Sequence, residues 1–256
     1  MKPFTGAKMS ETDFRARYIV AVGLVLVFLV FFWANLTFRI PLIPILATVF
    51  AFLALIELVS ICYHSRITNH ALIIVALHAL IITFAILSVW IIERFFCNWS
   101  LIILAIVVPV FAQNMFAYFI GSRWLPRVRN RRSAFVRFLH WHSFRSSPRK
   151  AAGTAIVTSL LALVVTLPWT FQHPLLFSIV LIASLTAAFG DLLESYLKRL
   201  VHIENSGEHL RRGRSIFAYL ERVVGSHGGF LDRFDSLFFC LALIFPVLVT
   251  FIGLGS

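Results

Sequence analysis

Residues 174–200 read PLLFSIVLIASLTAAFGDLLESYLKRL, an apolar run that passes directly into a polar one. Residues 226–236, SHGGFLDRFDS, show the opposite order, because there polar residues run into the next apolar segment. So many charged side chains between two hydrophobic segments are costly in an apolar chain unless they face water and carry chemistry. The two stretches therefore predict a pair of membrane helices whose adjoining ends form a functional site.

The composition sets the class of protein. The 256 residues are 60% hydrophobic and 13% charged, with a mean hydropathy of +0.90. A chain of this kind is more apolar than a soluble domain can bury, so we expect a polytopic membrane protein. The net charge of +12 favours contact with anionic headgroups over nucleic acid, because Lys and Arg gather in cytoplasmic loops of membrane proteins.

Runs of about 20 apolar residues, the length that crosses a bilayer core, predict an all-α fold of about seven transmembrane helices. The runs lie near residues 18–38, 41–63, 71–92, 100–121, 152–172, 174–190 and 236–254. Nothing from Leu192 to Leu200 breaks a helix, so we expect the sixth span to continue into the polar stretch. Residues 1–256 are predicted to form a single integral membrane domain. Re-entrant or interfacial helices can bring the number of its helices above seven.

The basic residues predict the orientation. If the N-terminus is cytoplasmic, every Lys and Arg except Arg39 and Arg94 lies on the inner side. This asymmetry fits the positive-inside rule with seven spans. Residues 122–151 and 191–235 then form large cytoplasmic loops, and we expect these loops to carry the site.

One face of the predicted sixth helix collects charged and polar side chains. Asp191, Glu194, Ser195 and Lys198 lie at i, i+3, i+4 and i+7 on a helix, with Arg199 beside them. A solvated helix end that carries several ion pairs would show the same pattern. For this helix face alone, that structural alternative stays open.

The second polar cluster precedes the last span. Gly228 and Gly229 permit a tight turn and close approach to a ligand, and His227 stands directly before them. Asp232 and Asp235 follow at i and i+3 at the start of the span. Acidic residues also suit the dipole of a helix N-terminus, so their position has a structural explanation as well.

Together the two clusters indicate a metal and phosphate site. Carboxylates on two neighbouring helices supply the oxygen ligands that Mg²⁺ takes, with phosphates and water completing its coordination. Lys198, Arg199 and Arg233 can hold phosphate groups by charge-assisted hydrogen bonds. The spacing supports this interpretation without specifying a reaction.

These residues resemble the signature of the phosphatidate cytidylyltransferases, also called CDP-diacylglycerol synthases. The motifs that carry the resemblance are Gly190-Asp191-Leu192, Glu194-Ser195, Lys198-Arg199, His227-Gly228-Gly229, Asp232-Arg233 and Asp235-Ser236. Residues 116–121, FAYFIG, and 147–153, SPRKAAG, are similar to two further family blocks. The resemblance covers roughly residues 187–245, with partial support from 114–153.

The resemblance implies a homodimeric membrane enzyme that joins CTP to phosphatidate with Mg²⁺, giving CDP-diacylglycerol and pyrophosphate. The predicted location is a bacterial inner (plasma) membrane, with the site facing the cytoplasm. The predicted catalytic residues are Asp191, Asp232, Asp235 and Lys198. The predicted metal ligands are Asp191, Asp232, Asp235 and Glu204. The predicted substrate-binding residues are Ser195, Arg199, His227, Arg233, Arg149, Lys150 and Asn205.

The chain departs from the family pattern at three acidic positions. Asn205, Asn114 and Ala152 stand where the family carries carboxylates, although Glu204 lies next to Asn205. These replacements favour an alternative, a non-catalytic paralogue of the same fold that binds lipid or a partner. A transporter is less favoured, because the charges collect at one face of the membrane and not at its midplane.

Overall fold

The computed structural model describes residues 11–64, 69–118, 152–166, 168, 173–201 and 230–255. This part of the chain is built from α-helices, which confirms the all-α fold expected from the apolar runs. The helices are α1 (Glu11–Phe38), α2 (Leu42–His64), α3 (Asn69–Phe95), α4 (Trp99–Tyr118), α5 (Ala152–Thr166), α6 (Pro174–Leu200) and α7 (Phe230–Gly255).

Five helices in these ranges are long and apolar enough to cross a membrane. Their apolar spans are Leu42–Tyr63, Asn69–Phe95, Trp99–Ala117, Pro174–Lys198 and Phe234–Gly253. Val25–Phe38 within α1 and Ile156–Thr166 within α5 are shorter apolar helices. The polytopic membrane fold is therefore confirmed, whereas the number of seven transmembrane spans stays a prediction.

Helix α6 runs without interruption through the boundary between the apolar and polar halves of its sequence. It extends for 27 residues to Leu200, a length of about 40 Å at 1.5 Å per residue. The expected continuation of the sixth span beyond Gly190 is confirmed. Asp191 and Glu194 consequently lie within the length of a membrane-spanning helix and not beyond its end.

Helix α7 is the central element of the packing. It packs most extensively against α6 and α3, and it also contacts α2 and α4. The buried residues of α3 recur every three or four residues, as in a coiled-coil seam. They include Ala71, Val75, His78, Ile82, Ala85, Val89 and Ile92.

Polar side chains join several of these helices. Ser88 Oγ on α3 donates a hydrogen bond to Leu241 O on α7 at 2.7 Å. Asn35 Nδ2 on α1 donates to Glu93 Oε1 on α3 at 3.1 Å, and Asn35 Oδ1 accepts from the N–H of Ile43 on α2 at 2.8 Å. Such bonds between membrane helices contribute on average about 0.6 kcal/mol each, so they align helices whose contact is mainly apolar packing.

Candidate metal centre

The buried face of α6 carries a carboxylate among small and apolar residues. Its buried positions recur every three or four residues, as expected for the side of a helix that faces the core. They include Ile179, Ala183, Ala187, Gly190, Glu194 and Leu197. Small residues at a membrane-helix interface let two backbones approach closely, and here the approach occurs one turn before Glu194.

Gly190 lies where the backbones of α6 and α7 come close together. A Cβ atom on Gly190 would lie 2.5 Å from Asp235 O and 2.6 Å from Ser236 Cα. Because both are backbone atoms, a side chain at this position could fit only if the helices moved apart. The absence of a side chain at Gly190 therefore lets the acids that follow it on α6 reach Asp235 on α7.

Three carboxylates meet at this crossing. One oxygen each from Asp191, Glu194 and Asp235 lie within 4.8 Å of one another. Glu194 is fully buried, Asp235 is 8% exposed and Asp191 is half-buried. Because Asp191 and Glu194 come from α6 and Asp235 from α7, the cluster exists only when these two helices are packed.

The electrostatics of the cluster favour a cation among the acids. At an effective dielectric constant of about 20, two negative charges 4.8 Å apart repel by about 3.5 kcal/mol. Lys198 Nζ lies 2.8 Å from Glu194 Oε2 and stabilises one of the three charges. Carboxylate oxygens are ligands that divalent cations such as Mg²⁺ and Ca²⁺ prefer, so the cluster can hold a metal ion.

The polar side chains of the same face of α6 also interact within the helix. Ser195 Oγ donates to the backbone carbonyl of Asp191 at 2.6 Å, and Lys198 is paired with Glu194 one turn earlier. Both residues were predicted to contact substrate. Their placement within one turn of the acidic cluster is compatible with that prediction. Contact with substrate itself stays a prediction.

Helix α2 contributes a buried carboxylate to the first turn of α7. Glu57 is fully buried, and its Oε2 accepts a hydrogen bond from the backbone N–H of Leu231 at 3.0 Å. Phe50 of α2 stacks on Phe234 of α7 with ring centroids 4.8 Å apart. A lone carboxylate in the second apolar run is expected to be a packing or pairing residue inside the bundle, and Glu57 pairs with the backbone of α7. Only the tertiary structure places that contact one turn before Asp235.

The other predicted site residues lie near the ends of helices or outside the described ranges. Arg199 lies in the last turn of α6. Asp232 and Arg233 lie in the first turn of α7, three and two residues before Asp235. Asn114 is exposed near the end of α4, and Ala152 begins α5. The residues that lie outside the described ranges are Arg149, Lys150, Glu204, Asn205 and His227.

Of the predicted metal ligands, the structure brings together Asp191 and Asp235, and it adds Glu194. The sequence places Glu194 on the same helix face as Asp191 but does not assign it to the metal. The signal that identifies Glu194 is its position on the apolar buried stripe of α6, where an acid needs a partner. That stripe can be traced along the sequence once α6 is known to continue past Gly190.

Comparison with known proteins gives a consistent result. The protein-family model described as "Cytidylyltransferase family" matches residues 147–251. The chain is 37% identical over 114 residues to a phosphatidate cytidylyltransferase of Helicobacter pylori strain J99, a match that covers 42% of this chain and 36% of the relative. It is 34% identical over 113 residues to a phosphatidate cytidylyltransferase of Bacillus subtilis strain 168, covering 41% of this chain and 36% of the relative.

A phosphatidate cytidylyltransferase of Staphylococcus aureus strain COL is 37% identical over 75 residues, covering 29% of this chain and 24% of the relative. These matches span about a third or less of the length of the relatives. No solved structure matches the chain significantly. The matched segment, residues 147–251, contains the acidic cluster and most of the two helices that form it, so it is in this segment that the chain resembles the cytidylyltransferase family.

Proposed function

We propose that the chain is a CTP:phosphatidate cytidylyltransferase, which joins CTP and phosphatidate or a similar lipid phosphate. The observation that carries the proposal is the buried cluster of Asp191, Glu194 and Asp235 at the crossing of α6 and α7. This cluster lies inside the segment that matches the family. The similar proteins from three bacteria that bear this name support the choice of substrates.

The proposed reaction transfers a cytidylyl group to a lipid. An oxygen of the lipid phosphate attacks the α-phosphorus of CTP, and a new P–O bond forms. The bond from that phosphorus to the oxygen of the β-phosphate breaks, and pyrophosphate leaves with the electron pair. Both reactants are anionic, so the protein has to align them and neutralise their charge at the depth of the headgroups.

The acidic cluster fits a Mg²⁺ ion. Mg²⁺ takes oxygen ligands and is held in proteins by a few carboxylates together with phosphates and water. The three carboxylate oxygens lie within 4.8 Å of one another, so they are close enough to share one ion. When bound, the ion would supply positive charge to the phosphates, while Asp191, Glu194 and Asp235 would hold it at the helix crossing.

Basic residues complete the proposed phosphate site. Lys198 is next to the cluster through its contact with Glu194, and Arg199 follows it at the end of α6. Arg233 lies in the first turn of α7. In the proposal these cations bind phosphate oxygens by charge-assisted hydrogen bonds, together with Arg149 and Lys150. Asp232, Glu204, Asn205 and His227 are proposed to complete the metal and nucleotide contacts.

A second candidate function is lipid or partner binding without turnover. It is favoured by Asn114, Ala152 and Asn205, which replace carboxylates of the family pattern. The converging acids of α6 and α7 weigh against it, because a binding protein without a metal would gain nothing from three carboxylates that repel one another.

The test is turnover by the purified full-length protein in detergent micelles. We expect CTP, Mg²⁺ and phosphatidate together to yield pyrophosphate and a CDP-lipid in equal amounts. Chelating the Mg²⁺, or replacing phosphatidate by diacylglycerol, which lacks the attacking phosphate, should abolish both products. If the folded protein binds phosphatidate but releases no pyrophosphate with Mg²⁺ or Mn²⁺, the non-catalytic alternative replaces this proposal.

The proposed setting is a bacterial inner membrane, with a homodimer whose sites face the cytoplasm. Cys97 is exposed in the turn between α3 and α4, which this orientation places outside. Cys62 is half-buried and Cys240 is buried. We therefore expect a membrane-impermeant maleimide to label intact cells at Cys97, and Cys97→Ser to abolish the labelling. Labelling only after permeabilisation would contradict the orientation.

A further inference from the structure

His78 is a buried histidine on the seam between α3 and α7. It is 4% exposed and lies nine residues from the start of α3 at Asn69, about 13.5 Å along the helix. Asp191 lies nine residues from the other end of its helix, at Leu200. If α3 begins and α6 ends on the same side of the membrane, His78 and the acidic cluster are at similar depth.

The hydrogen bond of one ring nitrogen defines the chemistry of the other. His78 Nδ1 lies 2.8 Å from the carbonyl oxygen of Ile74. A carbonyl can only accept, so Nδ1 carries the proton and donates it. In the neutral imidazole, Nε2 is then a hydrogen-bond acceptor with a lone pair.

Nε2 of His78 is buried and has no hydrogen-bond partner among the described residues. An unpaired polar atom is costly within a membrane helix bundle. Leu or Ile at this position of the seam would pack without that cost. The presence of His78 therefore points to a polar group that reaches Nε2.

A small cavity connects His78 with the metal centre. Its volume is about 10 Å³, close to the space that a single water molecule needs. His78, Gly190, Leu193 and Asp235 are among the residues that line it. A ligand in this cavity would lie against both His78 and a carboxylate of the acidic cluster.

We propose that His78 is a positioning residue that holds Asp235 through a water molecule in this cavity. Nε2 and the carboxylate are both acceptors, so they cannot bond directly, whereas a water molecule donates one hydrogen to each. The water would fix the orientation of the Asp235 carboxylate toward the metal. The inference rests on the proposed function, since it assigns a role to His78 at the same metal site.

The test measures Mn²⁺ affinity by electron paramagnetic resonance on purified full-length protein, without substrates. Mn²⁺ accepts the same oxygen ligands as Mg²⁺. We expect His78→Leu, which removes the acceptor, to weaken Mn²⁺ binding about tenfold, the effect typical of residues that orient metal ligands. His78→Gln keeps an acceptor oxygen at similar reach, and it should bind Mn²⁺ nearly as the wild type does.

Ser88→Ala is the matched control, because it removes a buried bond between α3 and α7 away from the acidic cluster. It should leave Mn²⁺ affinity unchanged. The proposal is overturned if His78→Leu binds Mn²⁺ as tightly as the wild type, or if His78→Gln is as weak as His78→Leu. In either case the proposed function stands as long as the wild type binds Mn²⁺ and turns over its substrates. A wild type that binds no Mn²⁺ would overturn the metal site and the role of His78 together.

Discussion

Glu194→Gln should reduce cytidylyl transfer by roughly 100-fold or more while the protein stays folded. Glu194 is fully buried at the helix crossing and contributes one of the three converging carboxylates. Gln keeps the size of the side chain but removes the negative charge that a metal ion needs. If the ion supplies several kcal/mol of transition-state stabilisation, a loss of about 3 kcal/mol corresponds to a rate lower by roughly 100-fold.

The measurement combines turnover with thermal unfolding in detergent. Mg²⁺ should raise the Tm of the wild type, because a ligand that binds only the folded state stabilises it, and this increase should be lost in Glu194→Gln. Glu93→Gln is the matched control, since it makes the same exchange at a carboxylate that is bonded to Asn35 and belongs to α3. Equal turnover by Glu194→Gln and Glu93→Gln would contradict the assignment of Glu194 to the metal.

Gly190→Ala should reduce turnover about as strongly as Glu194→Gln does. The cause here is a change in the distance between α6 and α7, since no charge is removed. The new Cβ would lie 2.5 Å from a backbone oxygen of α7, so the two helices have to separate by a substantial fraction of an ångström. A misplacement of about 1 Å at a catalytic site can lower the rate roughly 100-fold. We therefore expect weaker Mg²⁺ binding and a large loss of turnover.

The effect of Gly190→Ala on stability should be smaller. Overpacking costs about 1–3 kcal/mol, whereas replacing Gly by Ala in a helix contributes up to about 1 kcal/mol of favourable propensity. Gly253→Ala near the end of α7 is the control, because a Cβ there meets no atom within 4 Å. It should retain full turnover and an equal or higher Tm. Wild-type Mg²⁺ affinity in Gly190→Ala would show that the close approach does not determine the site.

The fold class follows from features that are local in the chain. Long apolar runs predict helices because a backbone in lipid has to satisfy its own hydrogen bonds, and α2, α3, α4, α6 and α7 are confirmed as long, apolar helices. The continuation of α6 past Gly190 could also be predicted, because the residues that follow form helices readily. Asp191 and Asp235 were predicted to be site residues from their spacing and from the resemblance to the family, and the structure brings their carboxylates together.

The partners of buried polar residues lie far away in the sequence, so local patterns do not predict them. The sequence places Glu57 and His78 singly in two apolar spans, where a lone polar residue is expected to be a packing or pairing residue inside the bundle. The structure places Glu57 at the first turn of α7 and His78 beside a cavity shared with Asp235. Helical periodicity identifies the face on which a residue lies, but not the helix that the face meets.

The sequence by itself determined that this protein is a bundle of membrane helices, and it predicted a functional site where two of them adjoin. The tertiary structure decided which acids meet. Asp191 and Glu194 reach Asp235 because Gly190 allows the backbones of α6 and α7 to touch. Hydropathy and spacing depend on neighbours along one chain segment, whereas a metal centre depends on distances between segments that only packing sets.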